Sequence, residues 1–113
     1  MDRSAPWTAL QVQVDSATRV MTVRIDNPPL SLLNQTVRQE LGTLFARVAD
    51  DSTVRCVVFA SGARSFCAGA DLREYPLRFD PAVARAHVDN AHRMILALVE
   101  LNTPTIGALR GPC

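Results

Sequence analysis

The sequence predicts an α/β fold in which an N-terminal hairpin is followed by helices alternating with short apolar strands. Three observations carry that reading. The N-terminal stretch alternates polar and apolar residues at the period of two expected of half-buried strands. Two later stretches repeat apolar residues at helical spacing. Between and after them lie apolar, β-branched runs that suit strands of a parallel sheet.

Thr8 to Val14 places Leu10, Val12 and Val14 on one side and Gln11 and Gln13 on the other. Asp15-Ser16-Ala17-Thr18 is polar and turn-like. Arg19 to Ile25 alternates again, with Met21, Val23 and Ile25 on one face, so the two runs form an antiparallel hairpin. Asn27-Pro28-Pro29 stops the second strand, because proline cannot donate to a ladder. Leu30 to Leu33 is an apolar connector, and Asn34 is a helix N-cap. Val37, Leu41, Leu44, Phe45 and Val48 then form the stripe of an amphipathic helix ending near Asp50-Asp51, with Arg38, Glu40 and Arg47 off the stripe.

Val54 to Ala60 is almost continuously apolar, as in a strand covered on both faces. Ser61-Gly62-Ala63-Arg64 is loop, and leads into Ser65-Phe66-Cys67-Ala68-Gly69-Ala70-Asp71-Leu72-Arg73-Glu74. Asp71 begins a short helix, which Pro76 ends. Asp80-Pro81 is a cap followed by proline at the first helical position. Ala84, Val88, Ala91, Ile95 and Leu98 mark a second long helix ending near Asn102. Thr105 to Leu109 is a short apolar strand, followed by Gly111-Pro112-Cys113. A strand of buried character with nothing after it to cover it reads as the end of an interrupted domain, and makes the isolated chain prone to associate.

The bulk properties narrow the chemistry. At 113 residues the chain is one domain or part of one, and 48% hydrophobic with 20% charged residues fits a globular protein. A net charge of +1 points to no nucleic-acid face. All twelve basic residues are arginine, which excludes a Schiff-base or P-loop lysine within this stretch. Three cysteines with no Cys-x-x-Cys spacing suggest neither a disulfide framework nor a zinc site, and fit a reducing compartment. The N-terminus lacks the apolar core of a signal peptide, and no apolar run reaches membrane-spanning length, so the cytoplasm is the expected location.

The segment Cys67 to Asp71 carries the chemistry. A glycine among small residues, between a buried strand and a helix start, can leave main-chain N–H groups facing a ligand. Ser61 and Ser65 lie nearby but outside any Gly-x-Ser-x-Gly pattern, so a serine nucleophile is not indicated. Cys67 has no activating base beside it in the sequence and reads as a packing residue. Asp71 caps, and Glu74 supports the first helical turn. Arg64, Arg73 and Arg78 surround the loop and are candidates for phosphate contacts, though most surface arginines are simply solvated.

Ser65 to Glu74 resembles the signature loop of the enoyl-CoA hydratase/isomerase family, the crotonase superfamily. Ile25 to Asn34, Val54 to Ser61 and Thr103 to Gly111 are similar, in order and spacing, to other segments of that family, so the resemblance runs from Leu10 onward. It implies a crotonase-like ββα spiral, incomplete, with residues 1–113 forming the N-terminal portion of a single domain that stops before the second oxyanion-hole glycine. It implies a homotrimer or dimer of trimers, and an acyl-CoA thioester as the ligand, with coenzyme A bound only as part of the substrate. No metal, nucleic-acid or membrane partner is implied. The Ala70 N–H would be one of two donors to the thioester oxygen, the second coming from a glycine-rich helix start after the last strand. Ala68 would meet the adenine end through its carbonyl beside Gly69, Asp71 and Leu72 would flank the pantetheine, and Leu30 would line the coenzyme groove.

Two family positions differ, with Asn27 for arginine and Thr103 for lysine. His87 and His92 flank opposite edges of the second helix's stripe and are not placed to share a metal. His92 is similarly placed to the general-base histidine of the 4-chlorobenzoyl-CoA dehalogenase branch, although that branch's aromatic residue at the Ala70 position is absent. The expected function is hydration or isomerisation of an enoyl-CoA through an enolate-like intermediate. The alternatives are another branch, thioester hydrolase or dehalogenase-like with His92 as base, and a non-catalytic fragment that binds acyl-CoA or pairs with full-length subunits. The chain taken alone is expected to be inactive.

Overall fold

A computed structural model describes residues 7–113, with the side chains of Leu77 and Arg78 outside the described set. Arg78, one of the three loop arginines, is therefore not placed. Strand β1 (Leu10–Val14) and strand β2 (Val20–Ile25) pair antiparallel, with Val12 opposite Val23 and Val14 opposite Met21. Asp15 closes the hairpin. Its Oδ1 accepts from the N–H groups of Ala17 (2.8 Å) and Thr18 (3.1 Å), so the side chain substitutes for a backbone turn.

Helix α1 (Gln35–Ala49) follows, capped as the sequence predicts. Asn34 Oδ1 accepts from the Val37 N–H at 2.9 Å. Asn34→Ala is expected to cost about 1 kcal/mol of stability, read by equilibrium denaturation. Strand β3 (Cys56–Ser61) lies parallel to β2, and helix α2 (Pro81–Val99) leads to strand β4 (Thr105–Gly107), parallel to β3. The sheet order is β1-β2-β3-β4, and the two parallel pairs need the crossovers that α1 and α2 supply.

The core lies between one sheet face and α1. Leu10, Met21, Val23, Ile25 and Val57 meet Val37, Leu41, Leu44, Phe45 and Val48, all buried. Phe45 meets Phe59 edge-on, with ring centroids 5.5 Å apart. The predicted hairpin and α1 stripe are therefore observed, and no described helix is long and apolar enough to cross a membrane.

Four expectations change. Within β3 only Val57 is fully buried, and Cys56, Val58 and Ala60 on the opposite face are half-buried. Pro76 does not end its helix. It sits inside a 3₁₀ segment, Leu72–Phe79, where the absent N–H interrupts the turns less than it would a long α-helix. On α2 the packed residues are Met94, Ala97 and Leu98, while Val88 and Ile95 stay 44% and 50% exposed. That helix is apolar around most of its girth, so periodicity alone does not orient it. Last, Arg38 is not off the α1 stripe but 5% exposed.

Candidate active site

The loop after β3 is held by a chain of short polar contacts with the segment after β2. Ser31 is fully buried and left-handed, with φ of 53°. Its hydroxyl donates to the Ser65 carbonyl at 3.1 Å. A hydroxyl carries one hydrogen, so Ser61 must be the donor in the 2.6 Å Ser31–Ser61 contact. A non-glycine residue in that region costs about 1–3 kcal/mol, and the hydroxyl contacts offset it. The Ala68 N–H donates to the Leu30 carbonyl (3.0 Å), and the Leu33 N–H to the Gly69 carbonyl (2.8 Å). A parallel bridge joins Leu33 to Ala70. Asn27, in the place of the family's arginine, donates from Nδ2 to the Leu32 carbonyl at 2.9 Å.

Gly69 turns the chain at φ 101°, a region open to glycine. Beyond it Ala70 is exposed, and among the described residues its N–H has no hydrogen-bond partner. The far side of the loop is held by the Gly111–Pro112 tail, where the Phe66 N–H donates to the Pro112 carbonyl at 2.8 Å. The backbone on each side of Ala70 is thus tied down, while among the described residues its own donor is unused.

Asp71 is buried and caps the 3₁₀ segment. Its Oδ1 accepts from the Arg73 N–H (3.0 Å) and Nε (2.9 Å), and its Oδ2 from Nη2 (2.7 Å). The Arg73 side chain holds the Asp71 carboxyl below its ordinary 3.8, the Arg73 backbone N–H adds to this, and burial opposes it. The folded value is lowered, so the stabilisation is present above 3.8 and fades as the pH falls through the folded value. Asp71→Asn is accordingly expected to be less stable than the parent near neutral pH. That gap should narrow in acid, as a pH series of denaturation curves would record.

The structure thus brings Leu30, Ala68, Gly69 and Ala70 together, with the Leu30 side chain 47% exposed beside them. Leu72 projects at 68% exposure. The Asp71 carboxylate is occupied by Arg73, and its carbonyl accepts from the Glu74 N–H at 3.1 Å. His92 lies exposed on α2, and among the described residues no hydrogen bond joins it to the loop.

Two residues outside the expected site hold it in place. Ser31 is the first, and its signal was its position after two prolines, where the chain must reverse. Arg38 is the second, and the spacing Arg38, Leu41, Phe45, Val48 does set it at the stripe's edge. Its Nη2 meets Glu74 Oε1 at 3.2 Å. Glu74 does not serve its own turn as expected, since its Oε2 accepts from the Gln35 N–H at 2.9 Å and caps α1.

Residues 15–113 match the sequence family described as Enoyl-CoA hydratase/isomerase. The chain belongs to the enoyl-CoA hydratase/isomerase family. It is 29% identical over 100 residues to the fatty acid oxidation complex subunit alpha of Idiomarina loihiensis, covering 88% of this chain and 14% of that protein. It is 28% identical over 112 residues to a probable peroxisomal enoyl-CoA hydratase 1 of Arabidopsis thaliana, covering 98% and 40%. An enoyl-CoA hydratase/carnithine racemase from Magnetospirillum magneticum superposes with a TM-score of 0.86 at 23% identity, over 96% of this chain and 41% of that one. That likeness identifies the fold as crotonase-like. The chain therefore spans well under half the length of these relatives, and the hydratase/isomerase-family features described here are those of its matched portion.

Proposed function

We propose that the complete protein processes acyl-CoA thioesters by hydrating or isomerising a 2-enoyl group through an enolate-like intermediate. The observation that carries this reading is the exposed Ala70, whose N–H has no partner among the described residues, on a loop fixed from both sides. Family membership supports the substrate class.

In the proposed reaction the thioester oxygen accepts from the Ala70 N–H and from a second N–H, which we assign to a glycine-rich helix start after β4. As a base outside the segment described takes a proton from water and its oxygen bonds C3 of the enoyl group, the C2=C3 π electrons move toward the thioester oxygen, where the fixed donors stabilise the charge. The charge returns when C2 takes a proton from an acid group outside the segment described. Isomerisation uses the same donors, with a proton removed from one carbon and delivered to another. No resident cofactor takes part, and coenzyme A arrives with the substrate. Ala68, Gly69 and Leu30 form the groove for it, with Asp71 and Leu72 flanking the pantetheine.

A homotrimer, or a dimer of trimers, and a cytoplasmic location belong to the same proposal. The test is an assay of the complete protein against a panel of 2-enoyl- and 3-enoyl-CoA thioesters. Hydration or double-bond migration with one of them supports the reading, whereas neither turnover nor binding across the panel overturns it. The 113-residue chain alone is expected to show no turnover in that assay.

A further inference from the structure

We infer that Arg38 is a positioning residue for the oxyanion loop, acting through the Leu33 carbonyl to hold Ala70 in place. This rests on the proposed function above. Arg38 lies on α1, away from the coenzyme groove, yet its side chain is 5% exposed. Its guanidinium meets four partners on three other segments. Nη1 donates to the Leu33 carbonyl, Nε to Asn90 Oδ1 at 3.2 Å, and Nη2 to Glu74 Oε1 at 3.2 Å and His87 Nδ1 at 3.0 Å. It thus ties α1, the segment before it, the 3₁₀ segment and α2 to one planar group.

The contact with Leu33 gives the cluster its consequence. Leu33 is the residue whose N–H holds the Gly69 carbonyl at 2.8 Å and whose backbone bridges Ala70. Arg38 fixes the other end of that same residue. Glu74 completes the frame, because its second oxygen caps α1 at Gln35 while the first takes the Arg38 cation. The rigid fork of arginine suits such divergent partners, and a lysine ammonium cannot span them with the same geometry.

The same contacts fix a histidine. Arginine only donates, so His87 Nδ1 must accept and carry no proton, which leaves the hydrogen on Nε2. A cavity of about 310 Å³ lies beside the cluster, lined by Gln35, Val83 and Ala86 among others, so part of the frame borders open space rather than packed core. Removing the cation would leave the Glu74 carboxylate without a neutralising charge, with only the Gln35 N–H among the described residues to hold it.

Arg38→Met tests this in the complete protein, paired with the double variant Arg38→Met/Glu74→Gln. The second change removes the orphaned charge but keeps an oxygen to cap Gln35. The double variant is expected to regain the part of the lost stability that comes from the orphaned Glu74 charge. Both are expected to lose kcat and kcat/KM together, on the order of 10²-fold per folded active site. The carbonyl stretch of a bound, carbon-13-labelled acyl-CoA should shift less toward low frequency in both variants than in the parent, because the donor is misplaced. Folded double variant with parental turnover and parental carbonyl shift overturns the assignment. If the parent turns over thioesters and Ala70→Pro abolishes this while Arg38→Met does not, the Arg38 inference fails alone. If the parent neither binds nor turns over any thioester, both fail.

Discussion

Ala70→Pro in the complete protein is expected to lower turnover by on the order of 10²-fold or more. Proline replaces the Ala70 N–H, which has no partner among the described residues, with a ring carbon. The Gly69 carbonyl that Leu33 holds remains, so the bridge between the two segments keeps its 2.8 Å hydrogen bond. Losing one oxyanion donor costs about 2.7–4 kcal/mol of transition-state stabilisation, far more than the loss of one contact to bound substrate. The loss should therefore appear in kcat rather than in KM alone. Ala70→Gly retains the N–H and should stay within about tenfold of the parent. A folded Ala70→Pro protein with unchanged turnover would remove Ala70 from the site.

Gly111→Ala carries the largest expected effect on stability. Gly111 is left-handed, with φ of 71°, and a Cβ there would sit 2.0 Å from the Arg64 carbonyl oxygen. The obstacle is backbone, so neither a rotamer change nor a flexible tip can relieve it. The tail must move away and release the Phe66 N–H from Pro112. Left-handed strain of about 1–2 kcal/mol and a lost hydrogen bond of about 1 kcal/mol sum to roughly 2–3 kcal/mol. Denaturation of the complete protein reads the total, and amide exchange at Phe66 reads the cause. A variant of parental stability with Phe66 still protected would contradict this role of Gly111.

Much of the fold was legible because its local rules agree with its packing. The hairpin alternates, Asn34 caps, and the Val37 to Val48 stripe meets the sheet as its spacing requires. The loop was legible as a motif, since a glycine among small residues after a strand suits the left-handed turn that Gly69 adopts. Helix α2 was less legible, because it is apolar on several sides and its orientation is chosen by its partners. Met94, Ala97 and Leu98 face the core, and His87 and Asn90 face a buried cation. Arg38 was misread for a related reason. A charged residue at the edge of a stripe is usually solvated, and only the tertiary arrangement supplies the carbonyl, carboxylate, amide and imidazole that let it be buried. The same holds for Glu74, whose partners are 36 and 39 residues away in sequence.

The central claim is that the Ala70 N–H holds the thioester oxygen. A crystal structure of the complete protein with a bound acyl-CoA tests it most directly. The expected result is the thioester oxygen about 2.7–3.1 Å from the Ala70 nitrogen, with the N–H pointing at it. An acyl-CoA seated with its thioester oxygen beyond hydrogen-bond reach of Ala70, and held by other groups, would contradict the account.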